Sequence, residues 1–137
     1  MDDPETVVRR YYSTVADLTS AREALLEVLH PDVRVTEHPN AITPAGAVRD
    51  RDAVAAAFEA GKGLLAEQVF DIDELIVSGQ RVAVRATWRG TIADGVRGFA
   101  AGAELVAHVA SWLTVEDGLI HEHETFDCYE PLPGPRA

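Results

Sequence analysis

The second half of the sequence is dominated by apolar residues that recur at every second position. They fall into four runs, at about 67–78, 81–92, 104–116 and 119–130. Such alternation is typical of β-strands, whose successive side chains point to opposite faces. Ser78-Gly79-Gln80 and Glu116-Asp117-Gly118 are tight-turn sequences between neighbouring runs, and 93–103 is predicted to form a longer hairpin loop. This half is therefore predicted to be a meander of four long strands.

The first half has helical spacing in three places. The predicted elements are a helix at 4–17 that starts at Asp3-Pro4, a second helix from a Ser20/Glu23 capping box to His30-Pro31, a strand at 33–38, a loop at 39–46, and a third helix at 51–65 broken near Gly61 and Gly63. Helices followed by antiparallel strands indicate an α+β domain. We expect a single domain over 1–137, in which three helices close a curved antiparallel sheet into a cone with a small-molecule pocket inside.

The run at 104–116 is apolar on both of its predicted faces. Leu105, Val109 and Leu113 alternate with Val106 and Trp112. The helices can cover only one face of the sheet, so a second copy of the chain is the simplest cover for the other face. We therefore expect a homodimer through the outer sheet face.

The charge and the cysteine content exclude several classes of protein. The net charge is −11, and an acidic surface repels phosphate backbones, so no nucleic-acid partner is expected. Cys128 is the single cysteine, which rules out an intrachain disulfide and favours a reducing compartment. No signal-type or bilayer-spanning apolar run occurs, so we expect a cytoplasmic protein without a membrane partner.

Three segments carry a resemblance to a known superfamily. They are Thr6–Tyr11, the stretch from His30-Pro31-Asp32 to His38-Pro39, and the last two strands with Asp117-Gly118 and His123-Glu124-Thr125-Phe126-Asp127. In this order they resemble the nuclear transport factor 2-like superfamily, and within it the SnoaL-like polyketide cyclases and the ketosteroid isomerases. The resemblance covers about Pro4 to Pro131 and implies the same cone-shaped α+β roll.

The resemblance also implies roles for particular residues. Asp127 stands where the cyclases carry an acid/base Asp, and Tyr11 matches an oxyanion-donating Tyr of the isomerases. His38 replaces the catalytic Asp that the isomerases place before the Pro, so steroid isomerisation by their route is not expected. The family usually works without metal, so no metal and no cofactor are expected.

The alternation of side chains along each strand then predicts which residues line the pocket. If Asp127 faces the interior, Thr125, His123 and His121 share its face. The register of the family would bring His108 and Trp112 in beside them. The remaining predicted lining comprises Trp88 from the strand at 81–92 and Phe58 from the third helix. The predicted substrate-binding set is Trp88, Trp112, Thr125 and Phe58.

The chemistry expected of this pocket is proton transfer. A carboxylate among apolar rings has a raised pKa, which suits Asp127 to general acid–base work, with His38, His108 or His123 assisting. The predicted function is a cofactor-independent isomerase, cyclase or dehydratase for a hydrophobic cyclic or polyketide-like substrate. The alternatives are a non-catalytic module that binds such a ligand and a purely structural homodimer. His108 and His123 could equally be structural, Tyr11 could be core packing, and His121 is expected near solvent.

Overall fold

The computed structural model describes residues 2–93 and 98–133 and contains three helices and six strands. The elements are α1 Pro4–Ala16, α2 Arg22–Val28, β1 Leu29–Glu37, β2 Ala47–Arg49, α3 Arg51–Leu64, β3 Leu65–Ser78, β4 Arg81–Ile92, β5 Glu104–Glu116 and β6 Leu119–Tyr129. The four long strands begin and end within two residues of the predicted runs. Part of the hairpin loop predicted at 93–103, residues 94–97, lies outside the described residues.

Helix α1 forms where the sequence predicts it, because its first turn is capped. The Asp3 side chain accepts a hydrogen bond from the Thr6 backbone N–H at 2.8 Å, and Pro4 occupies the first helical position, where no N–H is needed. Val7, Val8 and Tyr11 lie on the buried face of the helix. This face packs against strands β3 to β6.

The junction between α2 and β1 differs from the prediction. Ala21 precedes the helix without a side-chain cap, so the predicted Ser20/Glu23 capping box is wrong. The chain passes directly from Val28 into β1 at Leu29, four residues before the predicted strand. The pairing of β1 with β6 is irregular between Leu29 and Arg34, which accommodates Pro31 because a proline has no N–H for the ladder.

Helix α3 runs without interruption past Gly61 and Gly63, so the predicted break is wrong. Its start is capped by Asp50, whose side chain accepts from the Ala53 N–H. A β-carbon on either glycine would meet no atom within 4 Å, which shows that neither glycine is needed for close packing. The helix ends where the Leu65 N–H bonds to the Gly61 carbonyl.

All six strands form one sheet in the order β2-β1-β6-β5-β4-β3. The pairs β3–β4, β4–β5 and β5–β6 are antiparallel, as the predicted meander requires. The β1–β6 pair is parallel, so the sheet is mixed and not wholly antiparallel. The short strand β2, which the sequence did not predict, pairs antiparallel with the end of β1.

The helices cover one face of the sheet, here called the inner face, and the core lies between them. Strand β5 shows this most clearly, since its inner residues are buried without exception: Leu105, Ala107, Val109, Ser111, Leu113 and Val115. The opposite face, here called the outer face, leaves Trp112 45% exposed and Phe126 40% exposed. In the described part of the chain, no helix is both long and apolar enough to cross a bilayer.

Candidate functional site

A cavity of about 190 Å³, here called the central cavity, lies between α1 and the inner face of the sheet. Its wall is mostly aromatic and aliphatic, with Phe70, Trp88 and Tyr129 side by side on three strands. Into this wall β6 projects Asp127, Thr125 and His123. The sequence predicted this inward parity for all three residues, and their roles toward a substrate stay predictions.

Among the residues that the structure describes, Asp127 is the one carboxylate that lines the central cavity. Its β-strand partner is Val109, and its Oδ1 atom accepts a hydrogen bond from the Thr125 hydroxyl at 2.6 Å. Burial in this apolar setting raises the pKa of Asp127, the Thr125 hydrogen bond opposes the rise, and the negative charge of Glu37 adds to it. A carboxyl group with a raised pKa can both accept and return a proton near neutral pH.

His123 lies deeper, between α1 and β5. Its Nδ1 atom is 2.9 Å from the Tyr11 hydroxyl, and its Nε2 atom is 3.1 Å from the Ser111 hydroxyl and 3.4 Å from the Tyr12 hydroxyl. Burial lowers the pKa of His123 to about 4. The ring is therefore neutral at physiological pH and acts as one donor and one acceptor.

Ser111 and Thr125 connect this histidine to the carboxylate. The Ser111 hydroxyl donates to the Thr125 hydroxyl at 3.1 Å, and Thr125 in turn donates to Asp127. Ser111 is fully buried, and Thr125 lies directly opposite it across β5 and β6. Tyr11, His123, Ser111, Thr125 and Asp127 thus form a continuous series, here called the hydrogen-bond chain.

Trp88 is fixed in the wall of the cavity by two contacts. Its indole N–H donates to the Gln68 side chain at 2.8 Å, and Gln68 donates to the Val15 carbonyl at 2.9 Å. The ring of Trp88 lies over Gly90, where a β-carbon would come within 2.4 Å of the indole carbons. The predicted place of Trp88 in the pocket wall agrees with the structure.

Of two further residues predicted to line the pocket, Tyr11 lines the central cavity and Phe58 does not. Tyr11 is buried at the inner end of the central cavity. Its hydroxyl is directed at His123, not into open space. Phe58 lies in an adjoining cavity of about 260 Å³ that shares Tyr11 and Val15 with the central cavity.

The predicted inward placement of His108 and Trp112 is wrong. Residues directly opposite each other in an antiparallel pair share a face, and Asp127 is opposite Val109. The even-numbered residues of β5 therefore point outward. There His108 is 2.8 Å from Glu130, and Trp112 packs edge-on against Phe126. The register is one residue away from the predicted one, which exchanges the two faces.

His38 also lies away from the cavity. Its Nε2 atom is 2.7 Å from the Glu124 carboxylate, and its ring stacks on Phe126 at 4.3 Å between centroids. Both partners belong to the outer face. The residue before it, Glu37, takes the inward position and pairs with Arg49 at 2.8 Å. His38 is therefore no part of the central cavity, contrary to the prediction.

His121 does not continue the inward row of β6. The pairing of β5 and β6 shifts between Thr114 and Val115, so Ile120, which parity placed outside, is fully buried opposite Val115. His121 instead contacts His30, with ring centroids 4.6 Å apart, and Glu116 at 3.1 Å. It lies at the end of the sheet, away from Asp127.

One group of side chains in the described part of the chain could hold a metal ion. Ligand atoms of His30, Glu116 and Asp117 lie within 4.8 Å of one another. However, the Nδ1 atom of His30 accepts a hydrogen bond from the Asp32 backbone N–H at 3.0 Å, so Nε2 carries the proton of the neutral ring. A metal ion needs a free lone pair on a ring nitrogen, and here one nitrogen accepts a hydrogen bond while the other carries the proton. The group is therefore better suited to hydrogen bonding.

Sequence reasoning missed Tyr12, Ser111 and Gln68. Tyr12 and Ser111 touch His123, and Gln68 holds Trp88. Tyr12 follows Tyr11 directly, and α1 turns both rings inward because the helix buries a broad face. The signal for Ser111 was a lone hydroxyl in an otherwise apolar row of β5, which pointed to a buried hydrogen bond.

Residues 8–123 match the SnoaL-like domain family. Among solved structures, the chain is similar to IdmH, a candidate polyketide cyclase from Streptomyces antibioticus, with 24% identity, 92% of each chain covered and a TM-score of 0.75. It is also similar to an NTF2-like protein of unknown function from Burkholderia pseudomallei, with 26% identity, 93% of this chain and 92% of the other covered, and a TM-score of 0.70. A third similar structure is an LEH-like epoxide hydrolase from M. tuberculosis, with 14% identity, 93% and 82% coverage, and a TM-score of 0.68. No curated protein matches the chain significantly.

Proposed function

The chain belongs to the SnoaL-like domain family, and on that premise we propose that it is a cofactor-independent isomerase, cyclase or dehydratase. It would act on a hydrophobic cyclic or polyketide-like substrate by general acid–base catalysis in the central cavity. The observation that carries the proposal is the Asp127 carboxyl, whose pKa is raised by burial in an apolar, aromatic wall.

Asp127 is the proposed base. It would remove a proton from the carbon next to a substrate carbonyl, and the electron pair of the broken C–H bond would move onto the carbonyl oxygen. The enolate would then collapse by returning the proton elsewhere, by expelling a β-hydroxyl group or by closing a ring. A pKa nearer the working pH makes a carboxyl group effective in both halves of such a reaction.

The enolate oxygen needs a hydrogen-bond donor. The hydroxyl of Tyr11, the donor implied by the family resemblance, is already 2.9 Å from His123 Nδ1. Tyr12 lines the same cavity, and its hydroxyl is 3.4 Å from His123 Nε2, a distance longer than a good hydrogen bond. Tyr12 is therefore the proposed donor. Burial raises the pKa of Tyr12, which keeps its hydroxyl protonated at any physiological pH.

The substrate would lie against the row formed by Phe70, Trp88 and Tyr129. Beyond Trp88 and Tyr129 lies a further cavity of about 150 Å³, lined by Leu64, Leu65 and other apolar side chains. Together these walls suit a flat hydrophobic molecule, since aromatic faces stack on planar rings. Phe58 and Thr125 complete the proposed contacts on the helix side and the strand side.

A test of this proposal does not need the natural substrate. Purified protein is incubated in D₂O with enolisable cyclic ketones such as 2-tetralone, and deuterium incorporation at the α-carbon is measured by mass spectrometry. Wild-type protein is expected to accelerate exchange above the rate in buffer. Asp127→Asn is expected to lower that acceleration by about 10²-fold or more, since general base catalysis typically contributes 10²–10⁴.

The control is Asp71→Asn, which removes an exposed carboxylate on β3 outside the cavity and is expected to leave exchange unchanged. Equal exchange by wild type and Asp127→Asn would contradict Asp127 as the base.

A non-catalytic binding module is the second candidate, favoured by one observation. The polar groups of the hydrogen-bond chain already satisfy one another, as they would in a pocket that only holds a ligand. In that case fluorescence titration would detect ketone binding to the wild type, and no ketone that binds would exchange faster than in buffer.

A further inference from the structure

The hydrogen-bond chain has five members and four links. From α1 to the cavity the distances are 2.9 Å from Tyr11 to His123 Nδ1, 3.1 Å from His123 Nε2 to Ser111, 3.1 Å from Ser111 to Thr125, and 2.6 Å from Thr125 to Asp127. Every member between the ends is buried or nearly so. No link is long enough to require a water molecule.

The direction of each link follows from counting hydrogen atoms. An ionised Asp127 can only accept, so Thr125 spends its single hydroxyl hydrogen on it, and Ser111 must therefore donate to Thr125. Ser111 then has only lone pairs for His123, so His123 Nε2 carries the hydrogen. A neutral imidazole has one N–H, which leaves Nδ1 to accept from the Tyr11 hydroxyl.

From this one-way arrangement we infer that Thr125, Ser111 and His123 are positioning residues that hold Asp127 by its Oδ1 atom, so that Oδ2 is the oxygen that takes the substrate proton. The part of this inference that concerns proton transfer from a substrate rests on the proposed function. The position of Asp127 and the His123 tautomer do not depend on turnover.

The assignment makes the proton-transfer step specific. The substrate C–H bond breaks, its proton forms an O–H bond at Asp127 Oδ2, and the electron pair moves onto the substrate oxygen. Thr125 keeps its hydrogen bond to Oδ1 throughout, so the carboxyl group does not have to rotate between taking up the proton and returning it. Holding a base in one orientation lowers the entropic cost of reaching the reactive geometry.

The same arrangement argues against proton flow along the chain. Moving every hydrogen one step toward Asp127 would leave a tyrosinate at Tyr11. Burial raises the pKa of Tyr11 far above the physiological range, so that state is strongly disfavoured. The chain therefore orients Asp127 and does not deliver protons to it from the protein interior.

The first experiment reads the tautomer of His123 by ¹⁵N NMR of ring nitrogens in the purified, ligand-free protein at pH 7. The expected result is a neutral ring with the hydrogen on Nε2 and an unprotonated Nδ1. His123→Gln assigns the signal, since it removes that ring and can still donate to Ser111. A ring with its hydrogen on Nδ1, or a charged ring, would overturn the proposed direction.

The second experiment measures the pKa of Asp127 by carboxyl ¹³C NMR titration, with Asp127→Asn as the assignment control. Thr125→Val is expected to shift this pKa upward, because it removes the hydrogen bond that stabilises the ionised form. Thr125→Ser restores the hydroxyl and is expected to return the pKa to the wild-type value. The nearby titratable groups, Glu37, His123, Tyr11, Tyr12 and Tyr129, are the same in all three proteins.

Ser111→Ala tests whether the chain acts as a unit. Its expected signature is a mixture of His123 tautomers, since Nε2 loses its acceptor at 3.1 Å and keeps only the longer contact with the Tyr12 hydroxyl at 3.4 Å. An unchanged Asp127 pKa in Thr125→Val, or an unchanged single tautomer in Ser111→Ala, would overturn the inference. These outcomes are independent of deuterium exchange, so failure of the positioning role and failure of the proposed catalysis are distinguishable.

Discussion

At the scale of single residues, burial shifts the pKa values of both Asp127 and His123 in the direction that favours the neutral form of each side chain. Burial raises the pKa of Asp127 and lowers the pKa of His123 to about 4. An adjacent ion pair would show the opposite shifts, a lowered carboxyl and a raised imidazole. The hydroxyl groups of Ser111 and Thr125 separate the His123 ring from the Asp127 carboxylate. The desolvation of each group therefore shifts its pKa more than the electrostatic attraction between the two groups does. Asp127 is thus the sole charge of the hydrogen-bond chain.

The neutral state of His123 predicts a pH dependence of stability. A histidine whose pKa falls from 6.5 in the unfolded chain to about 4 in the folded one binds protons mainly when unfolded. Its stabilising contribution is complete above pH 6.5 and is lost as the pH falls toward 4. The full loss is about 3 kcal/mol, because one pKa unit corresponds to about 1.4 kcal/mol.

His123→Gln removes this titration and keeps a donor and an acceptor in place. The free energy of unfolding, measured with urea between pH 7.5 and 4, is expected to fall less steeply in the variant than in the wild type. His108→Gln, which removes an exposed histidine beside Glu130 on the outer face, serves as the matched control and is compared over the same pH range. Parallel curves for His123→Gln and wild type would show that His123 titrates normally in the folded protein.

At the scale of elements, the sequence predicts where the strands begin and end better than it predicts which face of the sheet each side chain points to. Alternation and the two tight turns place β3 to β6 correctly, because both signals are local. Strand β5 is apolar on both faces, so no local signal says whether Val109 or His108 points inward. The pairing of Val109 with Asp127 decides this, and it is a long-range contact. The three-residue strand β2 is defined by its pairing with β1, a contact that the local sequence does not predict.

The same limit explains which site residues could be predicted. Asp127, Thr125 and His123 lie on one strand, so their common face follows from parity alone. His108 and Trp112 depended on the register between two strands and were placed wrongly, and His38 was placed wrongly by the family resemblance. The bulge that moves His121 out of the row is another long-range effect, because it depends on the pairing of β6 with β5.

Strand β4 carries a close contact that gives an element-scale prediction. Gly90→Ala would place a β-carbon within 2.4 Å of the Trp88 indole, so the ring must move off its hydrogen bond to Gln68. We expect a loss of about 1–3 kcal/mol in the free energy of unfolding, the usual cost of overpacking. In a Trp112→Phe background, the remaining Trp88 fluorescence is expected to shift as the indole changes its surroundings.

Gly61→Ala provides the matched control for this substitution. Gly61 lies within α3, and a β-carbon there meets nothing within 4 Å. Alanine at this position is expected to raise stability by about 0.5–1 kcal/mol, because glycine is a poor helix former. If both substitutions changed stability in the same direction, the proposed packing of Trp88 over Gly90 would be wrong.

At the scale of the whole molecule, the outer face is unusual for an acidic protein of net charge −11. Its centre is apolar, with Trp112, Phe126 and the stacked His38 in contact. Charged side chains around it form ion pairs within the face, as in Arg85–Glu74 at 3.5 Å and Arg89–Glu104 at 3.9 Å. A face with an apolar centre and locally compensated charges can approach a copy of itself without the repulsion that the net charge would otherwise impose.

We therefore propose that the protein forms a homodimer through the outer face, with Trp112 at the centre of the interface. Sedimentation velocity of the wild type is expected to give twice the mass of the chain. Trp112→Glu is expected to give the monomer mass, since it would bury an unpaired carboxylate in the contact. The far-ultraviolet circular dichroism should be unchanged, because Trp112 has no part in the inner core.

Val77→Glu is the control for added charge, because Val77 is 42% exposed and lies opposite Val82 on the inner side of the sheet, away from Trp112. It is expected to remain dimeric. A monomeric wild type would contradict the proposed dimer. A dimeric Trp112→Glu would show that the interface lies on another surface. Because Asp127 and Trp112 lie on opposite faces of one sheet, a monomeric Trp112→Glu that still exchanges α-deuterium would show that each cavity works without its neighbour.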